Sequence, residues 1–451
     1  MAGVGWLRGE FFLEGGGWGV MVGDPHFPDH FMHKLLVTGG SLLEGDVYVS
    51  GSKNSALPIL AATLLTRDQC VIHRVPDLSD TNYMTQILAS LGAHVERASG
   101  TVMVEAEEVK SEAPYDLVRR MRASICVMGP LLGRTGEAMV SLPGGCVIGD
   151  RPVDLHLRGL EQLGASVSVQ GGNMHIKGVE GMGGREVNMR GKHGSTVLGT
   201  DNLMMAAVLV PGTTVIEGAA MEPEVEDLAN FLIRMGAKIE GAGTRRIVIE
   251  GVRELHGAEH TVIADRIEAG TFLIAGAIAG KRVTLRRCCP EHMTAFLKTL
   301  TDSGYPVTVE GDSITVSRAE NPRGGEIRTE PYPGFPTDMQ AQFTALYASV
   351  PGISVITETI FPQRFMHVPE LNRMGAQITL EGATAVIKGV PRLSGAPVMA
   401  SDLRASAALV LAGLGAEGET EINRLYHIDR GYEHIDDKLS RLGANVRRVK
   451  A

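Results

Sequence analysis

No stretch of this sequence approaches the roughly 18 to 20 unbroken apolar residues of a spanning helix, so a membrane is not an expected partner. Positive charge is in short supply as well. Lys and Arg number 43 against 52 Asp and Glu, a formal net charge of −9. A nucleic-acid backbone needs a basic face, so no nucleic-acid partner is expected either. Five cysteines, Cys70, Cys126, Cys146, Cys288 and Cys289, show no metal-ligand spacing, and no metal is expected. The adjacent Cys288-Cys289 pair reads as buried packing, which fits a reducing, cytoplasmic setting. Aromatic residues are only 5% while glycines number 56, pointing to helices and sheets joined by many tight turns. Residues 1–32, with Trp6 and Trp18, lack a basic start followed by a solid apolar run and make a poor secretion signal. They are expected to be a disordered extension, with Met21 or Met32 as an alternative start and the fold beginning near Lys34.

What the 451 residues do contain is repetition. An apolar residue, two variable ones, another apolar residue and Gly-Ala recur at Leu88–Gly92, Leu160–Gly164, Leu232–Gly236, Leu371–Gly375 and Leu439–Gly443. A weaker copy ends at Gly304, and successive glycines lie 72, 72, 68, 71 and 68 residues apart. Each copy predicts a helix closed by a left-handed glycine, then a strand, then a strand running back. An acid just upstream, as in Val75-Pro76-Asp77, Met221-Glu222-Pro223 or Ile428-Asp429, is expected to cap the helix. Six α+β units group most simply as two lobes of three. A boundary near Ala264-Asp265-Arg266, with opening strands before a first helix over 55–65, predicts that the chain crosses twice. The expected lobes are 33–52 plus 264–451, and 53–263, with a substrate cleft between them.

Four segments depart from what the repeat needs. Ser50-Gly51-Ser52-Lys53-Asn54 opens an apolar helix and puts a lysine where the dipole already favours an anion. A solvated surface lysine is the ordinary alternative. Cys146 follows Pro143-Gly144-Gly145, a turn rather than a core position, and Arg151 five residues on would lower its pKa. Asp338, in Gly334-Phe335-Pro336-Thr337-Asp338, reads either as a helix cap or as a general base facing a cleft. Arg364, Arg404 and Arg430 stand where repeats begin helices; with Arg122 and Arg151 they would line a cationic cleft. A phosphate and a carboxylate together ask for about that many forked donors.

These segments resemble the UDP-N-acetylglucosamine 1-carboxyvinyltransferase family, of the EPSP synthase superfamily, from about Leu35 to Val449. The resemblance implies a two-lobed inverted α/β barrel (prism) of six βαβαββ-type repeats. It also implies enolpyruvyl transfer from phosphoenolpyruvate to the 3-hydroxyl of UDP-N-acetylglucosamine, the committing step of peptidoglycan synthesis, with no cofactor. By the same resemblance Lys53, Asn54, Arg151, Arg364 and Arg430 bind phosphoenolpyruvate, and Cys146 is the loop acid that the epoxide fosfomycin alkylates. Asn54, Arg122, Arg151, Pro152, Val153, Asp154, Leu155, Asp338 and Ile360 contact the sugar nucleotide. Asp402 and Arg404 support lobe closure. The family's diphosphate loop is replaced here by the longer Gly191–Thr200 run, in which Lys192, Ser195 and Thr196 are the candidate contacts. The runner-up readings are 5-enolpyruvylshikimate-3-phosphate synthase and a catalytically silent UDP-sugar-binding paralogue.

Overall fold

All six repeat glycines, Gly92, Gly164, Gly236, Gly304, Gly375 and Gly443, have φ between +89° and +109°. That is the left-handed region that only glycine enters without steric cost, so the repeat in the sequence is a repeated backbone turn. Each turn follows one of six helices: Ser79–Ser90, Asp154–Leu163, Pro223–Arg234, Thr294–Asp302, Val368–Arg373 and Ile435–Arg441. A hairpin comes next, as where Gln377–Glu381 pairs antiparallel with Thr384–Lys388. In the sixth unit the return strand is the first strand described, His33–Thr38, paired with Asn445–Lys450. The computed structural model describes residues 33–142, 153–191 and 194–450. The expected extension and the candidates Cys146, Arg151, Pro152 and Lys192 lie outside them.

Among the described residues the strands form five four-stranded sheets and one of three strands. Each four-stranded sheet adds one parallel pair to antiparallel ones, giving an α/β architecture of mixed sheets. A second set of helices is buried around most of its circumference, as central helices must be. Lys53–Ala62, Met128–Thr135 and Val197–Ala207 belong to one hydrophobic core. Arg266–Ala279, Gln340–Tyr347 and Leu403–Gly415 belong to the other. The last buries every residue from Arg404 to Leu414.

One core draws on residues 56–262 and the other on 35–49 and 264–446. Between them the two crossing segments are zipped together. Ser52 N donates to the Ile263 carbonyl at 2.7 Å, and Asp265 N to the Ser50 carbonyl at 3.0 Å. A Cβ on Gly51 would sit 1.8 Å from the Arg74 carbonyl oxygen, so only glycine passes here. Strand Leu43–Tyr48 lies parallel to Gly280–Arg286, and Cys70–His73 parallel to Glu259–Thr261.

Two local expectations need correction. The first helix begins at Lys53, not Ser55, and its last turn, Thr63–Leu65, tightens to 3₁₀. The upstream acids do not cap. Asp77 accepts from Asn82 Nδ2 at 3.1 Å, and Asp429 accepts two hydrogen bonds from Arg448 at 2.8 and 2.9 Å. Glu222 holds the capping position of Pro223–Arg234 without a side-chain capping bond. A carboxylate beside a guanidinium gains more from that charge than from one helix amide.

Candidate functional site

Inner helices from both cores present their N-termini to the seam between them, and the charged candidates gather there. Lys53 is the first residue of its helix and only 7% exposed. Its Nζ lies 3.2 Å from Asp80 Oδ2, and Arg430, from the other half, donates Nε to Asp80 Oδ1 at 2.9 Å. Asp265 joins the halves a second way. Its Oδ1 caps Arg266–Ala279 by accepting from Ile267 N and Glu268 N, each at 2.9 Å, and its Oδ2 accepts from Lys53 N at 3.2 Å. Burial pushes the Lys53 pKa below the ordinary lysine value; Asp80 pulls it up, while Arg404 and Arg430 push it further down. Burial works to raise the Asp80 carboxyl, but Lys53 and Arg430 outweigh it and hold the group below its usual value.

Asp338 does not cap. It is the second residue of the short 3₁₀ turn Thr337–Met339, and its oxygens face two guanidinium groups. Arg364 Nη1 reaches Oδ1 at 2.7 Å and Arg404 Nη2 reaches Oδ2 at 3.2 Å. Both arginines are buried. Arg404 lies in the first turn of Leu403–Gly415, which Asp402 caps by accepting from Arg404 N at 2.8 Å and Ala405 N at 3.1 Å. Arg364 precedes Val368–Arg373, and Arg430 closes the 3₁₀ turn Leu425–Arg430 instead of opening a helix. Ile360 is half-buried, its amide held by Glu358.

Among the described residues, the nucleotide-side candidates other than Asp338 and Ile360 lie in the half that carries Lys53. Asn54 is half-buried beside Lys53, and Arg122, also half-buried, opens the 3₁₀ turn Arg122–Val127. Val153 and Leu155 are half-buried and Asp154 exposed at the start of Asp154–Leu163. Thr196 caps Val197–Ala207, its hydroxyl accepting from Gly199 N at 3.2 Å, with half-buried Ser195 before it. A Cβ on Gly194 would lie 2.9 Å from Pro331 Cγ, so this loop abuts the opposite half.

Behind Arg122 stands His156, a residue the sequence did not single out. Asn202 accepts from Gly129 N through Oδ1 at 2.8 Å and donates through Nδ2 to the Ile125 carbonyl at 2.9 Å. That orientation turns Nδ2 toward His156 Nδ1 at 3.0 Å, so the ring nitrogen accepts and the imidazole is neutral. Burial, with Arg122 second, lowers its pKa to about 4 from 6.5. As pH falls from the unfolded value toward the folded one, the unfolded chain takes up a proton that the folded chain refuses, and stability is lost. Between about pH 7.5 and about pH 5 the wild type should lose roughly 2 kcal/mol more than His156→Gln, whose amide oxygen still accepts from Asn202. Equal losses in chemical denaturation would show that the ring is not held neutral.

Among the described residues one group has metal-ligand geometry: Cys289, Glu291 and His292, whose ligand atoms lie within 4.8 Å of one another. It contains none of the candidates above, and burial raises the Cys289 thiol pKa, against the thiolate a metal wants. The sequence singled out neither Asp80 nor Glu358, and it marked Arg266 only as part of a boundary. Arg266 pairs with Glu224 at 2.9 Å across the seam.

The family model for EPSP synthase (3-phosphoshikimate 1-carboxyvinyltransferase) matches residues 37–439. A protein of Akkermansia muciniphila named UDP-N-acetylglucosamine 1-carboxyvinyltransferase is 63% identical over 420 residues, 93% of this chain and 99% of that protein. One of the same name from Methylacidiphilum infernorum is 60% identical over 418 residues, again 93% and 99%. Among solved structures, the enolpyruvyl transferase NikO from Streptomyces tendae superposes with a TM-score of 0.85 at 26% identity, covering 93% of this chain and 99% of that one. EPSP synthase from Acinetobacter baumannii superposes at 0.72 with 17% identity over 93% and 100%, a likeness of fold alone. No helix among the described residues is long and apolar enough to cross a membrane.

Proposed function

The chain belongs to the EPSP synthase family, and from that membership we propose that it moves the enolpyruvyl group of phosphoenolpyruvate onto the 3-hydroxyl of UDP-N-acetylglucosamine, releasing phosphate. This reaction commits the sugar nucleotide to peptidoglycan, and its setting is the cytoplasm. The identity to two relatives of that name supports the acceptor. The observation that carries the chemistry is the convergence of Lys53, Arg430, Arg364 and Arg404 on two carboxylates, Asp80 and Asp338, at one seam. The lobes are 33–52 plus 264–451 and 53–263, each an inverted α/β prism. Three inner helices and surrounding sheets in each half support this division.

In this reading Lys53, Arg151 and Arg430 hold the phosphate of phosphoenolpyruvate, and Arg364 turns from Asp338 toward its carboxylate. Asn54, Arg122, the 152–155 run, Ser195, Thr196 and Ile360 receive the sugar nucleotide. Asp338 orients the 3-hydroxyl and accepts its proton as the oxygen bonds to the central carbon of phosphoenolpyruvate. Cys146 delivers a proton to the methylene carbon, making it a methyl. The tetrahedral adduct then returns a proton from that methyl to the Cys146 thiolate as the carbon–oxygen bond to phosphate breaks, restoring the double bond. Fixed cations next to the departing phosphate stabilise its charge without reorganisation. Asp402, which aligns Arg404, supports closure of the lobes, and closure keeps water from the activated enol ether.

Phosphate release measured with UDP-N-acetylglucosamine and, separately, with shikimate 3-phosphate decides the acceptor. Release is expected only with the sugar nucleotide. Release with shikimate 3-phosphate alone would transfer the assignment to the other branch of the family.

A further inference from the structure

We propose that Glu358, given no substrate contact above, is the positioning residue that sets both Arg364 and Asp338. It is 1% exposed, and four donors converge on its two oxygens. Oε1 accepts from Thr329 Oγ1 at 2.7 Å, Ile360 N at 2.8 Å and Phe361 N at 3.0 Å; Oε2 accepts from Thr337 Oγ1 at 2.8 Å. A carboxylate only accepts, so the Thr337 hydroxyl must give it its proton and turn its lone pairs elsewhere. Arg364 Nη1 lies 3.1 Å from that hydroxyl and 2.7 Å from Asp338 Oδ1. Charge and hydrogen-bond polarity thus run one way, from Arg364 through Thr337 to Glu358. The Phe361 amide ties in the same unit, and the Arg364 guanidinium lies 5.8 Å from the Phe361 ring centre.

Glutamine at 358 has the same shape but one oxygen. If that oxygen keeps the Thr329, Ile360 and Phe361 donors, the amide nitrogen faces Thr337 and donates to it. The threonine proton must then swing away, toward Arg364, where donor meets donor. The reverse amide orientation would set a donor against three donors, so the first is favoured and the nucleotide wall survives.

The inference rests on the proposed reaction, and it is tested with wild type, Glu358→Gln, Thr337→Val and the double variant. Glu358→Gln is expected to lower kcat/KM for phosphoenolpyruvate by about 10- to 100-fold, as a small misplacement of catalytic groups does. Its affinity for UDP-N-acetylglucosamine alone should stay within about threefold, because the Ile360 and Phe361 amides keep their acceptor. Thr337→Val should add little in the glutamine background, since both changes break one chain. Wild-type kcat/KM in Glu358→Gln, or losses that multiply in the double variant, would overturn the proposal. So would an equal loss of nucleotide affinity and thermal midpoint, which would make Glu358 a fold residue only. Wild type releasing no phosphate with either acceptor would instead count against the reaction itself.

Discussion

Lys53→Ala should lower turnover by about a hundredfold to a thousandfold, the scale set by removing one aimed donor from a developing negative charge. It should also lower stability by up to about 3 kcal/mol, because the buried Asp80 carboxylate would keep Arg430 as its cation but lose the ammonium beside it. The two effects separate in a second variant. Adding Asp80→Asn removes the stranded charge, so the double variant should regain much of the stability and none of the turnover. Denaturant titration and phosphate release on wild type, Lys53→Ala and the double variant test this. If the double variant recovers both, Lys53 serves only to neutralise Asp80, and the phosphate must be held by other groups. If Lys53→Ala unfolds no more easily than wild type, the buried pairing has been given too much weight.

How much of this could be read before the fold was known varies with the range of the interaction. The left-handed turns at Gly92, Gly164, Gly236, Gly304, Gly375 and Gly443 are local, and a recurring Gly-Ala after an amphipathic helix was enough to place them. The order of opening strands before the first helix was also legible, and residues 35–49 share one hydrophobic core with 264–446 while 56–262 form another. Asp338 and the arginines could be singled out as residues the repeat does not need. Their pairing could not, since Arg430 meets Asp80 across 350 positions and Arg404 meets Asp338 across 66. Acids near helix starts were assigned to capping for the same reason. An Asp at a helix N-terminus has a local use that sequence displays and a distant use that it hides. Glu358 is the clearest case: Thr-Glu-Thr at a strand end carries no signal until four donors meet on one carboxylate.

Cys146→Ala should lose most turnover and keep affinity for UDP-N-acetylglucosamine, while Cys146→Asp should keep activity, because a carboxylic acid can also protonate the methylene carbon. Substitution alone does not prove a reactive thiol, and alkylation completes the test. The other four cysteines make poor nucleophiles. Burial pushes the Cys70 thiol up to about 11 and the Cys288 thiol up to about 12. It raises Cys126 well above the ordinary thiol value, and half-buried Cys289 is raised as well. An epoxide reacts with a thiolate, so fosfomycin at neutral pH should add once, at Cys146, and not at all to Cys146→Ala. Peptide mass spectrometry locates the adduct. The absence of an adduct on Cys146 would count against an exposed, reactive thiol there, and wild-type turnover in the alanine variant would remove Cys146 from the proton-delivering role. Addition at Cys146 with Cys146→Asp active but unlabelled would establish that the reaction needs an acid at this position, and that sulfur is needed only for the covalent trap.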